Sequence, residues 1–585
     1  MNQYYLHCKK ADFKRIAETF SISPMLARII RNRDIVGDAE IEEYLHGGTC
    51  RLHDPFLLKG MEEAVPLLFE AIQKKQKIRV IGDYDTDGVM ASFILYRFFT
   101  CLGGSCDVRL PDRVAEGYGM NPDMVEEAAK DGVSLLVTVD NGVASYEAAS
   151  EAARRGLRLI ISDHHEALPP LPEADALIDA KQPDCPYPYK ELCGAGIAYK
   201  IVCAMLEKWP DDFPSKDRDA AKDLLSELLQ FAGIATIADV VPLTGENRIL
   251  AAEGLKMVRK TENVGLKALM QVRQINPSAI SSYHIGFVLA PCLNSAGRLE
   301  NAEIALELLS EQSEERALQI AQHLSDLNEE RKKMTQTQTA CAEAIIRGIR
   351  QKQGVLPKIL VVYLPDAHES IAGIIAGRLK DDYSRPVLVI TRAENGLKGS
   401  GRSVEAYHMI RELKQFDSLF ERLGGHAKAA GFTLRTDVTP EMLSDALNGA
   451  CIQTEEQLCE KKWIDMELPF RYVTEAFTEE IKRLEPFGLK NPRPVFAQRN
   501  VLVRQVLVLG KNQQLLKLTL ESEEGETICG IQFGSEAYIA KQAERLPGKR
   551  ISFTFFPEVN EFRNRKTMQL RILDVISVSE DPSGS

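Results

Sequence analysis

The 585-residue chain predicts an α/β protein of several domains. Three observations predict it. From 77 to 180, short apolar runs alternate with helix-like stretches, the mark of βαβ units and a mostly parallel, doubly wound sheet. Residues 311–347 hold no glycine or proline, and their apolar residues recur at amphipathic-helix spacing. From 463 to 578 the pattern switches to short strands parted by turns, as in a small β-barrel. The expected order is a helical lead-in (1–60), a first α/β lobe (61–310), a long connecting helix (311–353) and a second α/β lobe (354–455). An OB-like barrel (456–578) and a disordered tail (579–585) follow.

Composition bounds the function. With 44% hydrophobic and 27% charged residues, the chain is ordinary globular material. No apolar run reaches the roughly 18 residues of a membrane span. MNQYYLHCKKADFKR lacks the apolar core of a signal peptide, so a cytoplasmic protein without a membrane partner is expected. Twelve cysteines fall without a CxxC pair, which argues against zinc knuckles and a disulfide framework. The net charge of −12 argues superficially against a polyanion, yet residues 482–520 carry eight Lys/Arg against one acid, Glu485. Local sign, not net charge, decides where a polyanion docks.

In the first lobe the strands are KIRVIG, CDVRLP, SLLVTVD, LRLIISD and ADALID. The first ends in Asp83-Tyr84-Asp85-Thr86-Asp87-Gly88 and leads into a helix, GVMASFILYRFFTCL. Clustered carboxylates repel one another and are stable only when a cation or strong donors compensate them. An EF-hand is excluded: its twelfth position would be Ile94, and a strand precedes the acids. The third strand ends in Asp140-Asn141-Gly142 and the fourth in Asp163-His164-His165-Glu166. One such end is usually a surface turn. Three on one sheet edge, where α/β sheets bind ligands, predict a metal site. Mixed Asp and His without thiolate suit Mn²⁺ or Mg²⁺.

Beyond 185 the chain reads as helical. Asp239, alone in the apolar run Ile237–Pro242, is costly unless paired or metal-bound. PCLNSAGR, ending at Arg298, reads as a small-residue loop or a helix cap. The 311–347 helix runs roughly 55 Å at 1.5 Å per residue and joins two lobes. The second lobe holds two glycine-rich stretches, Gly399–Ser403 and Gly424–Gly431, whose Ser, Arg, His and Lys can donate to a phosphate. Small-residue packing explains each equally well. In the barrel, Phe553, Phe555, Phe556 and Phe562 beside basic strands suit an OB-like single-strand binder, though most fit the core.

The ordered set DYDTDG, VDNG, DHH, ADVVP, NSAGRL, GSGRS and GGHAKAAG closely resembles the DHH phosphoesterases, specifically the RecJ type of single-stranded-DNA-specific exonuclease, over about 75–575. EPFGLKNPRPVF at 485–496 adds to the likeness. The resemblance implies a DHHA1-type second lobe and a two-metal hydrolase cutting DNA from the 5′ end to mononucleotides, in repair and recombination. By motif it implies Asp85, Asp87, Asp140, His164 and Asp239 as metal ligands, with Asp83 assisting and Asp163 orienting a histidine. It implies His165, Arg113, Arg298, Ser400, Arg402 and His426 as phosphate contacts. Some members carry His where Ile81 stands, and Asp83 is the natural substitute. A single-strand-binding protein or helicase as partner and a monomeric state complete the expectation. Two other classes are a phosphoesterase of short oligonucleotides, cyclic dinucleotides or pyrophosphate, and a non-enzymatic replication scaffold. The basic barrel argues against the first, and the intact acids and histidines against the second.

Overall fold

The computed structural model describes residues 3–393, 396–510, 512–562 and 565–580. Lys511, the side chain of Phe562 and the tail beyond 580 lie outside them. The chain forms two compact units: Gly48–Glu460, and the segment up to Gly47 joined with the segment from Lys461 onward.

In the larger unit five parallel strands stand in the order second, first, third, fourth, fifth: Lys77–Ile81, Ser105–Arg109, Val133–Val139, Arg158–Ser162 and Ala176–Ile178 in chain order. Alternation along the first strand sends Ile78 and Val80 into the core of helix Thr86–Cys101, while Ile81 packs on the other face with Met120, Met124 and Ala148. The sheet is therefore doubly wound. Its order reverses between the first and third strands, where such sheets bind ligands. Asp83–Asp87 leave the first of these strands and Asp140 the third.

Helix Glu314–Gln353 runs 40 residues, capped by Ser313, which accepts from Arg316 N, and by Gly354 at φ 75°. At 1.5 Å per residue it spans about 60 Å. Ala317, Ile320 and Leu324 pack into the first lobe, whereas Ala342 and Ile346 pack into the second. The helix is a strut shared by two cores.

The second lobe is a mixed five-stranded sheet in which Leu360–Tyr363 pairs in parallel with Val387–Ala393 and the other pairings are antiparallel. Here the two glycine-rich stretches, GSGRS and GGHAKAAG, fall largely on strands. Gly396–Arg402, Phe420–Gly425 and Ala429–Leu434 are adjacent strands, with Ser400 opposite Gly431 and Arg402 opposite Ala429. The glycines erase the alternation that betrays a strand. Gly399 has a packing reason of its own: a Cβ there would collide with the Phe432 ring.

In the smaller unit, strands Phe496–Leu509, Leu515–Glu521, Thr527–Phe533, Lys549–Phe562 and Arg565–Glu580 close into an OB-like barrel through the pairing of the first with the fourth. The last strand runs two residues into the expected tail. Phe553 and Phe555 fill the core, and Phe556 lies 3.7 Å beneath the Arg493 guanidinium. The N-terminal segment belongs to this unit. Gln3–Leu6, a strand absent from the expected helical lead-in, pairs in parallel with Lys461–Ile464, and Leu26, Ile29 and Ile30 share the barrel's core cluster. Asp465, buried with Arg33 at 3.3 Å, also accepts from Asn32 Nδ2 at 3.1 Å. Removing one partner of such a buried pair typically costs about 3–5 kcal/mol, because the other charge is left uncompensated.

The basic stretch is less bare than its linear count. Lys482 pairs with Glu479, Arg493 with Glu558, Arg499 with Glu467 and Arg504 with Glu521. Glu467, Glu521 and Glu558 come from neighbouring strands, and Glu479 from the helical turn before Lys482.

Candidate metal centre

Asp85 caps helix Thr86–Cys101. One oxygen, Oδ1, accepts from Asp87 N at 2.9 Å and Gly88 N at 3.2 Å, which leaves Oδ2 for another partner. Asp87 turns the other way, onto the start of helix Gly194–Glu207, where Gly194 N (2.7 Å) and Ala195 N (2.8 Å) donate to its two oxygens. Such a helix start favours an anion. Residue 194 has to be glycine, since a Cβ would meet the side chain of Asp140 at 2.5 Å. Asp140, buried at φ 63°, occupies the left-handed region, which Asp tolerates better than most residues.

His164 closes the cluster. Its Nε2 lies 3.0 Å from Asp140 Oδ1 and 3.8 Å from both Asp87 Oδ2 and Asp239 Oδ2. Burial, then the charge of His165, drives its pKa down to about 3, so the imidazole is neutral, as a metal ligand must be. The ligand-type atoms fall into three overlapping groups, each within 4.8 Å: Asp83, Asp85 and Asp140; Asp87, His164 and Asp239; Asp140, His164 and His165. Asp140 and His164 each belong to two. All the acids and histidines expected of the site thus meet at one sheet edge.

The cluster is electrostatically incomplete. Burial, then the neighbouring Asp85, pushes Asp87 up to about 6, and burial with mutual repulsion raises Asp83, Asp140 and Asp239 well above the carboxylate range. Asp83 Oδ1 is buried without a hydrogen-bond partner. Oxygen-rich, thiolate-free and in want of positive charge, the donors fit hard divalent cations. Cys193, at the foot of the Gly194 helix, does not compete, because burial raises its thiol well above the usual range. Ile81 has no part in the cluster.

A pH dependence follows. The folded pKa of Asp87 lies above its ordinary 3.8, so folding disfavours its ionised form. The metal-free fold therefore loses stability from this group as pH rises from about 4 through about 6, and a bound cation restores it. The rise in thermal midpoint on adding Mn²⁺ is expected to be larger at about pH 7 than at about pH 5. An equal rise at both, measured by differential scanning fluorimetry, would contradict this assignment of the carboxylates.

Around the acids stand donors. Asp163 is buried; its Oδ1 accepts from His164 N (2.7 Å) and lies 2.8 Å from His165 Nδ1, while its Oδ2 accepts from Val143 N (2.9 Å). Burial alone would raise Asp163 and lower His165; their mutual hydrogen bond overrides it and shifts each the opposite way. Tyr118, missed in the sequence although it sits in the same segment as Arg113, donates its hydroxyl to Asp140 O at 2.7 Å and lies 3.0 Å from His165 Nδ1. Asn294, in NSAGRL, accepts from Thr86 N at 2.7 Å and so holds the acidic turn. That motif is the helix Ala290–Leu299, not a loop. Its Gly297 packs on Tyr84, leaving no room for a Cβ.

Arg298, Arg402, Ser400, Arg113 and His426 assemble beside this centre. Arg298 Nη1 donates to Ser370 O at 2.7 Å in the second lobe, at the start of helix Glu369–Tyr383. Burial, then the charges of Arg113 and Arg331, lowers its pKa to about 9. Arg402 Nη1 donates to Ser400 Oγ (3.2 Å) and Gly401 O (2.8 Å), and Gly373 of the same helix has no space for a Cβ against them. Arg113 stacks 4.5 Å over Tyr84. His426 is lowered by burial first, then by Arg402, His165 and Lys181, so groups of both lobes feel one another's charge. Lys181, unread in the sequence, follows the fifth strand on the same edge as the acids.

Three family models match: the DHH family N-terminal domain at 77–234, the DHHA1 domain at 356–451 and the RecJ OB domain at 464–574. The single-stranded-DNA-specific exonuclease RecJ of Bacillus subtilis is 34% identical over 97% of the chain and 70% of its own length. The Escherichia coli RecJ is 31% identical over 94% of the chain and 95% of its own. The chain belongs to the RecJ family. RecJ of Thermus thermophilus, solved with Mn²⁺, shares the fold at a TM-score of 0.81 and 24% identity, over 98% of this chain and 79% of that one. A RecJ exonuclease bound to manganese is 30% identical at a TM-score of 0.56, over 68% of this chain and 96% of that one.

Proposed function

We propose that Asp83, Asp85, Asp87, Asp140, His164 and Asp239 hold two divalent cations, Mn²⁺ or Mg²⁺, and that the chain hydrolyses single-stranded DNA from its 5′ end. It is a metal-dependent exonuclease specific for single strands, as its family membership carries. The observation behind the residue assignment is the overlap of ligand groups at Asp140 and His164, one carboxylate and one imidazole shared between neighbouring sets of acids. Bound there, the cations would supply Lewis acidity and a water acidic enough to attack at neutral pH.

The chain's own residues do the rest. Asp163 fixes the ring of His165 and favours its protonated form, in which His165 can donate to a phosphoryl oxygen. Arg298, half-buried and hydrogen-bonded only to neutral oxygen among the contacts described, is a cation awaiting an anion. With Ser400, Arg402 and the N-terminus of helix Glu369–Tyr383 it makes a phosphate cradle on the far side of the acids. That cradle supports a terminal 5′-phosphate as the group that sets the register of cutting. The same reading implies a cytoplasmic monomer served by a single-strand-binding protein or a helicase.

The test is hydrolysis of end-labelled strands. With Mn²⁺ or Mg²⁺, 5′-phosphorylated single strands should yield mononucleotides, and blunt duplex should resist. Release of label from duplex at the single-strand rate, or internal cuts, would overturn the assignment.

A further inference from the structure

Ser282–His284, the π-turn Ile285–Leu289 and Ala290–Leu299 follow one another as a continuous helical run. It acts as a ruler across the active site. Tyr283, Phe287, Asn294 and Arg298 follow one another along this run, the first two ahead of or within the π-turn and the last two beyond it. Asn294 holds the acidic turn, and Arg298 reaches the second lobe. Tyr283 and Phe287 instead lie largely in solvent. They are 62% and 70% exposed, and their rings stack on each other at 5.2 Å and 26°. A phenylalanine so exposed gains little from folding.

Position along the ruler says what the pair faces. Along the run Phe287 stands before Asn294, and Arg298 lies about 6 Å beyond it on the other side. The π-turn also packs against the end of helix Ser215–Ala238, with Gly286 beside Ile237. Two residues after Ile237 comes Asp239, and then Val240, 62% exposed and at φ 59°. A β-branched residue in the left-handed region is a rare conformation. The aromatic pair thus adjoins one wall of the metal centre while the phosphate cradle lies at the other.

We infer that Tyr283 and Phe287 form a stacking platform for nucleobases of the substrate strand on the 3′ side of the scissile phosphate. This rests on the exonuclease reading above, with the 5′ end at Arg298 and Arg402. The order on the helix then puts the outgoing strand over Phe287, within the first few nucleotides. Base–aromatic stacking tolerates any sequence, as an exonuclease requires. It also asks for an unpaired base, since a duplex buries its base faces, so the platform would contribute to single-strand selectivity.

The experiment is an abasic scan with the full-length protein. A single abasic site is moved along the first six positions of a 5′-phosphorylated 20-mer, and KM and kcat are measured for wild type, Phe287→Leu, Phe287→Trp and Tyr283→Ala. In wild type one or two positions should raise KM by about 5- to 150-fold, the worth of one base–aromatic stack. In Phe287→Leu, which keeps apolar bulk, the unmodified strand should show that rise and the penalty at those positions should vanish. Phe287→Trp should retain it. If the abasic penalty survives in Phe287→Leu and Tyr283→Ala, the platform is not there. A change in oligomeric state with the penalty intact would instead make the pair a contact between copies, and equally overturn the proposal. Failure of wild type to degrade the unmodified strand is a different outcome, and it defeats the exonuclease reading itself.

Discussion

Asp140→Asn is expected to cut hydrolysis by about three orders of magnitude or more, the scale on which removing one preorganised group from a catalytic centre is felt. Asparagine is the informative replacement. It tolerates the left-handed backbone at φ 63°, where alanine adds strain, and it keeps the volume against Gly194. Only charge is lost. Because Asp140 is shared by two ligand groups, the loss should be felt at both cation positions. The metal-free protein should be no less stable than wild type, since burial and repulsion from Asp87 and Asp85 already disfavour the ionised side chain. The thermal shift on adding Mn²⁺ should shrink together with activity. Near-normal turnover at saturating Mn²⁺ would falsify the assignment of Asp140. A collapse of stability without metal would mean that the residue is structural.

Much of this centre was legible because it is local. The five strands are continuous β-rich runs, each followed by its polar end, so both the sheet and the edge bearing Asp85, Asp140 and His164 could be read in order. The strut helix declared itself by what it lacks. Less local facts were not legible. Asn294 touches Thr86 across 208 residues of sequence, and Tyr118 reaches Asp140 from a loop whose arginine drew more notice. GSGRS hid a strand because glycine carries no face pattern. Phe287 hid in plain view, since GFVLAP reads as core and only packing shows the ring in solvent.

The smaller unit carries the same lesson. Gln3–Leu6 pairs with Lys461–Ile464 at the far end of the chain, so nothing nearby in sequence marks it as a strand. The excess of positive charge in 482–520 looked unopposed because Glu467, Glu521 and Glu558 arrive only on folding, and Glu479 lies just outside the stretch. Exposed pairs of this kind contribute about 0–1 kcal/mol to stability, so they neutralise the surface more than they hold it together. A polyanion contact there would have to compete with them.

Arg402→Ala is expected to erase most of the preference for a 5′-phosphorylated strand over a 5′-hydroxyl one. Arg402 stands in the third strand of the second-lobe sheet, its Nη1 fixed by Ser400 Oγ and Gly401 O. Both acceptors are neutral, and burial, then the charge of Arg113, lowers its pKa. A guanidinium in that setting is short of a counter-charge, and a phosphate dianion supplies one. A hydrogen bond to a charged group is worth about 1.5–3 kcal/mol, and each 1.4 kcal/mol is tenfold, so the ratio of kcat/KM values should fall by about 10- to 150-fold. Arg402→Lys keeps the charge but not the planar fork, and should fall between wild type and alanine. Ser400→Ala, which removes a neutral partner, should cost about tenfold or less. The ratio, rather than the rate, isolates the terminal phosphate, because damage to the metal centre slows both substrates alike. An unchanged ratio in Arg402→Ala, with both rates lowered together, would place Arg402 at the scissile phosphate and leave the strand end to be held elsewhere.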